Sequence, residues 1–176
     1  QCISEVDEVR INETADIMAD VFSEDVISGW SELSLDEKNE KLNEYYVKAG
    51  ENLGINTKGV IVEPLYSEQG TTMGYNAGDG YIHLNEDVVE DPSMFEQVLD
   101  TATHEMRHQF QVEAITNPAA FSDIPKPVIE TWDYEFRNYI SPDYDYQGYY
   151  EQSIECDARD FAEDVLKSYL DKMKLN

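Results

Sequence analysis

His104 and His108 stand four residues apart, with Glu105 directly after the first, in the run His104-Glu105-Met106-Arg107-His108. Residues four apart on a helix stack on one face, so two imidazoles can converge on a single Zn²⁺. The Glu105 carboxylate would then lie beside the metal, placed to take a proton from water. The chain holds three histidines, and this pattern uses two of them. The spacing predicts a zinc-dependent hydrolytic site rather than a pair of packed core histidines.

The surrounding segment supplies a helix. Asp91-Pro92 is a helix-start signal and no Gly or Pro follows until Pro118, which predicts one helix over about residues 92–115. On a helical wheel Phe95, Val98, Leu99, Ala102, Met106 and Phe110 form an apolar arc. His104 and His108 fall on the opposite side, beside Gln97, Thr101 and Gln111.

A hydrolytic zinc site commonly has three protein ligands and one open position, so a third is required. His83 is one candidate. It lies in the alternating run Tyr81-Ile82-His83-Leu84-Asn85, which reads as a strand with His83 near the cleft, in reach of substrate. Glu155 is the stronger candidate. Ile154, Ala158, Phe161, Ala162, Val165 and Tyr169 form the apolar face of a helix running to about Lys172, and Glu155 sits on its edge. Asp157, Asp160, Glu163 and Asp164 are expected on the far, solvated side. A carboxylate turned inward requires a cation or several donors to offset its desolvation. Glu151, one turn earlier, is the second choice as ligand or as a partner of the ligands.

A His-Glu-x-x-His helix followed by a glutamate on a later helix resembles the gluzincin arrangement of zinc metallopeptidases. Glu155-x-x-Ala158-x-x-Phe161-Ala162 is similar to the third-ligand helix of the bacterial radiation-response and mobile-element anti-repressor peptidases. Thr103-His104-Glu105-x-Arg107-His108-x-x-Gln111, with Gln152-x-x-Glu155-x-Asp157-Ala158, resembles small zincin-like domains of Gram-positive bacteria, some of them toxin-like or phage-associated. The resemblance covers about residues 34–170. It implies zinc ligands His104, His108 and Glu155 and a catalytic Glu105. The interval from His108 to Glu155 is longer than in the anti-repressor peptidases, so their specificity does not carry over.

The expected reaction is hydrolysis of a peptide bond in a peptide or protein substrate. Zinc polarises the carbonyl and acidifies water, while Glu105 takes the water proton and returns it to the leaving amine. The developing oxyanion needs a donor, and Tyr144, Tyr146, Tyr149 and Tyr150 precede the Glu155 helix. Tyr149 is assigned that role, with Tyr150 next. Arg107 is expected to pair with an acidic residue and fix its helix, and Gln111 and Gln152 to orient ligands or substrate.

Positioning these groups requires helices on both sides of a small sheet. Ile11, Ala15, Met18, Phe22 and Val26 follow a helical period, as do Leu35, Leu42, Tyr45, Tyr46, Ala49 and Leu53, which predicts two helices. Residues 60–65, 72–76 and Tyr81–Asn85 read as strands, the last two joined by the turn Asn76-Ala77-Gly78-Asp79-Gly80. The resemblance nominates Tyr81–Asn85 as the edge strand along the cleft, open to an extended peptide. A proline-containing linker at residues 118–127 precedes a helix marked by Ile129, Trp132, Phe136 and Ile140 and ended by Ser141-Pro142-Asp143. The expected fold is α+β and zincin-like, with a small antiparallel or mixed three-stranded sheet packed on the metal-binding helix. One domain is expected over residues 1–176, with 1–30 as an N-terminal helical extension and 31–172 as the core.

With 38 acidic and 12 basic residues the net charge is −26, which excludes nucleic acid and anionic membranes as partners. The same charge serves solubility, and at low salt it would steer basic peptides inward. No membrane insertion is expected, and a secreted or cell-surface bacterial location is favoured over a cytoplasmic one. Cys2 and Cys156 allow a disulfide without requiring it. The alternative to an enzyme is a catalytically silent module that keeps the fold and metal for binding or toxin-associated regulation. An intact Glu105 separates the two, because binding alone has no use for that base.

Overall fold

A computed structural model describes residues 7–67 and 70–174. The architecture is α+β, mostly helical, with one small three-stranded mixed sheet. Three α-helices come first: α1 (Glu8–Val21), α2 (Glu24–Gly29) and α3 (Leu35–Leu53). Two were expected. The first periodic segment divides because Ser23 is extended and opens a new helix with Glu24 and Asp25 in its first turn. A capping box between Ser34 and Glu37 starts α3, and Gly54 in the left-handed conformation ends it.

Strand β1 (Gly59–Glu63) stops at Pro64, which cannot extend the ladder. A short hairpin, β2 (Tyr66–Ser67) with β3 (Gly70–Thr71), follows and was not anticipated. The sheet is completed by β4 (Gly74–Asn76) and β5 (Tyr81–Asn85). Its order is β1-β5-β4, with β5 parallel to β1 and antiparallel to β4. Tyr81–Asn85 is therefore the central strand, and the expectation that it forms the edge is corrected. Both of its backbone edges are already paired; β1 and β4 are the edge strands, and β4 is the one that packs on α5.

After α4 (Glu86–Glu90), Asp91 caps a single 3₁₀ turn at Pro92–Met94, and the long helix α5 (Phe95–Thr116) begins. The expected arc is buried apart from half-buried Phe95, and so is much of the opposite side, including Arg107, His108 and Gln111. Helix α6 (Lys126–Arg137), short α7 (Tyr146–Glu151) and long α8 (Ser153–Lys174) complete the chain. Sheet strands β4 and β5, together with α3, α6 and α8, all pack on α5.

Ala15, Met18, Val21, Phe22 and Trp30 are buried in the hydrophobic core. Phe22 packs edge-on against Trp30, Tyr45 and Phe95, with ring centroids 5.8–5.9 Å apart. Tyr169 on α8 donates its hydroxyl to the Phe22 carbonyl at 2.7 Å, which ties the last helix to the end of the first. Among the described residues no helix is long and apolar enough to cross a membrane.

Candidate metal centre

Helix α5 places His104 and His108 one turn apart, and α8 brings Glu155 to them from its first turn. His104 Nε2 lies 3.1 Å from Glu155 Oε2, and His108 Nε2 lies 3.3 Å from Glu155 Oε1. The two Nε2 atoms are themselves 3.1 Å apart. One ligand atom from each residue falls within 4.8 Å of the others, so this group can hold a metal ion.

Electrostatics at the centre follow from that convergence. Glu155 is almost fully buried; burial alone would raise its pKa, but hydrogen bonds from His104 and His108 hold it well below the usual carboxylate range. Burial would depress His108 as well, yet the Glu155 carboxylate outweighs it and pushes the imidazole up to about 9. The pair thus meets the carboxylate's demand for positive charge with a proton, in the place where a cation would sit.

The second expected ligand, Glu151, does not reach the centre. It ends α7, is exposed and binds the Gln147 side chain. The backbone turns extended at Gln152, so Glu151 and Glu155 do not share one helix face. His83 is also elsewhere. Its ring stacks on Tyr75 at 4.3 Å and its Nδ1 is 2.9 Å from Glu63 Oε1, while Tyr75 rather than His83 lines the cleft.

Glu105, His104, His108 and Glu155 open on a cleft of about 490 Å³. One wall is the edge strand β4. Asn76 pins it to α5 by donating from Nδ2 to the Glu105 carbonyl at 3.3 Å and to Gln109 Oε1 at 3.2 Å. Gly74 is required there, since a Cβ would come within 2.7 Å of the His83 carbonyl oxygen.

The other wall carries Phe136, Tyr139 and Tyr149. Of the four tyrosines singled out from sequence only Tyr149 lines the cleft; Tyr144, Tyr146 and Tyr150 are exposed. Tyr139 was missed. It lies just past the end of α6, outside any periodic segment, and its hydroxyl donates to Glu155 Oε1 at 3.2 Å. Burial followed by the Glu155 charge pushes the Tyr139 and Tyr149 phenols up. Gln152 holds this wall by clasping Ile140, accepting from its N–H at 2.8 Å and donating to its carbonyl at 3.2 Å. Glu135 on α6 accepts from the Ser153 N–H at 2.7 Å and so caps the start of α8.

Arg107 pairs with an acidic residue as expected, but the partner is a surprise. Asp157, read as solvated, is buried and receives the guanidinium on both oxygens, at 2.7 and 3.0 Å. Its flank of α8 packs on α5 instead of facing water, and Arg107 offsets the buried charge. Cys156, next to Glu155, is buried and disulfide-bonded, while Cys2 lies outside the described residues.

Comparison of the chain with protein-family models, with curated proteins and with solved structures finds no match. What this centre does must be argued from its own geometry.

Proposed function

We propose that this chain is a zinc-dependent peptidase of gluzincin type on a zincin-like fold, with His104, His108 and Glu155 as the metal ligands. The observation that carries the proposal is the arrival of Glu155, from a separate helix, at the two histidines beside a cleft that also exposes Glu105. Two imidazoles and one carboxylate suit zinc in number and in chemistry. When bound, zinc would supply Lewis acidity, acidifying water and polarising a carbonyl.

The chain's own groups supply the rest. Glu105 takes the proton from the attacking water and delivers it to the leaving amine. Tyr149 turns its hydroxyl from Glu155 to the oxygen of the carbonyl under attack, where negative charge develops. An extended peptide pairs with the free backbone edge of β4, which Asn76 ties to the Glu105 carbonyl of α5. Burial of the centre between α5, α8 and β4 limits water access and strengthens each of these interactions.

The test is a mixed peptide library incubated with zinc-loaded protein and read by mass spectrometry, with Glu105→Gln as control. Cleavage products from the wild type and none from the variant are expected. A wild type that binds zinc stoichiometrically yet cleaves nothing across the library would defeat the enzymatic reading.

A further inference from the structure

Behind the ligands, Arg107, Asp157 and Gln111 form a buried chain of hydrogen bonds that ends on His108. The Arg107 guanidinium is enclosed by the rings of Phe110 and Phe161, 4.3 and 4.6 Å from their centroids. Its Nε and Nη2 donate to the two oxygens of Asp157. Gln111 Nε2 donates to Asp157 Oδ2 at 2.7 Å and to the Ile154 carbonyl at 3.0 Å. The other end of the same amide, Oε1, is 2.9 Å from His108 Nδ1. Arg107, Asp157 and Gln111 are each at most 1% exposed.

Each member of this chain dictates the polarity of the next. A guanidinium can only donate, so Asp157 meets it as a carboxylate that can only accept. The Ile154 carbonyl also only accepts, and Gln111 must therefore turn its NH₂ toward both. The amide oxygen left over accepts in its turn, which requires His108 to carry a proton on Nδ1. The lone pair of the neutral ring is then on Nε2, the atom that faces His104 and Glu155.

We infer that Arg107, Asp157 and Gln111 are positioning residues that set the tautomer and ring orientation of His108 and so prepare Nε2 as a metal ligand. The inference rests on the metal-site reading above and extends it to three residues that touch no metal. Stability gives little reason for the arrangement, because a buried ion pair roughly breaks even against apolar packing of the same volume. A salt bridge between two helices would also leave open which imidazole nitrogen is bare. An ordered sequence of donors and acceptors does not.

The experiment measures zinc affinity by competition with a chromophoric chelator at one pH, and the metal-bound nitrogen of His108 by long-range ¹H–¹⁵N NMR. Gln111→Met keeps the Arg107–Asp157 pair and removes the acceptor for His108 together with the donor to Asp157 and the Ile154 carbonyl. It is expected to weaken zinc binding by about 10–100-fold with an unchanged circular dichroism spectrum. Asp157→Asn puts an N–H where Arg107 or Gln111 requires an acceptor, breaks the order of donors and acceptors, and is expected to cause a similar loss.

In the wild type zinc should sit on His108 Nε2 with a protected proton on Nδ1, and in Gln111→Met that proton should lose its acceptor and exchange faster. Gln111→Met binding zinc as tightly as wild type, with the Nδ1 proton equally protected, would mean that the network only packs the helices. Failure of the wild type itself to take up zinc would overturn the metal-site reading and this inference together, and is told apart by requiring no variant.

Discussion

His104 Nε2 and Glu155 Oε2, 51 positions apart in the chain, meet at 3.1 Å, so α5 and α8 are joined at the centre of the cleft. A metal bound there crosslinks the two helices. Glu155→Ala is expected to abolish stoichiometric zinc in elemental analysis, whereas Glu151→Ala, altering an exposed residue of α7, should leave it intact. Stripping zinc from the wild type should lower its melting temperature, because a ligand held only by the folded state stabilises it by mass action. A melting curve indifferent to zinc would argue against the crosslink.

Glu105→Gln preserves the size of the side chain and touches no ligand atom. It should retain zinc at wild-type stoichiometry and lose about 10²–10⁴-fold in kcat, the range that a general base contributes. Steady-state kinetics beside metal analysis checks both halves. A variant with comparable turnover would assign the proton transfer to another group.

The two cleft tyrosines should separate in their effects. Tyr149→Phe, which removes the proposed oxyanion donor, should lower kcat by about 10²–10³-fold while leaving zinc affinity nearly unchanged. Tyr139→Phe removes a donor 3.2 Å from a ligand oxygen and should show mainly in weaker zinc binding. If the kinetic loss followed Tyr139 instead, the roles would be exchanged.

In the metal-free protein the proton on His108 has a defined pH signature. Its folded pKa, about 9, lies above the ordinary 6.5, so the stability it contributes is fully present below about pH 6.5 and is lost as pH rises through 9. Glu155 is shifted down, so its contribution is present above the ordinary 4.5 and is lost on acidification below it. Metal-free protein should therefore resist urea best between these limits. Zinc uptake near neutrality should release a proton from His108, measurable by titration calorimetry in buffers of different ionisation enthalpy. Buffer-independent heats would contradict the shared proton.

Arg107→Leu leaves Asp157 buried without its partner and should destabilise the protein by about 3–5 kcal/mol in urea unfolding. A loss within the range of an exposed ion pair would mean that Asp157 finds water.

The local sequence carried the motif helix, the α8 apolar face and the β5 alternation, because each is a periodic signal within one element. Glu155 was legible for the same reason, as an acidic residue on an apolar edge. Asp157 was not. Its own helix offers no hint of burial, which is decided by Arg107 on α5. Strand order was equally hidden, since alternation in Tyr81–Asn85 states which residues face inward and not how many neighbours the strand has. Glu151 misled because the helical period was extended across Gln152, where the backbone turns extended. Tyr139 gave no signal at all, lying between two helices, where Gln152 from a later segment clasps the next residue, Ile140.

The enclosure of α5 along most of its length has one more consequence. Few of its backbone amides can exchange hydrogen with water by local fraying, because sheet, α3, α6 and α8 would all have to part first. Its amides should exchange only as fast as the whole molecule unfolds, and those of α7, with its exposed tyrosines, far sooner. The half of the cleft that carries His104 and His108 is thus as durable as the fold itself, while the wall that carries Tyr149 can open without unfolding it.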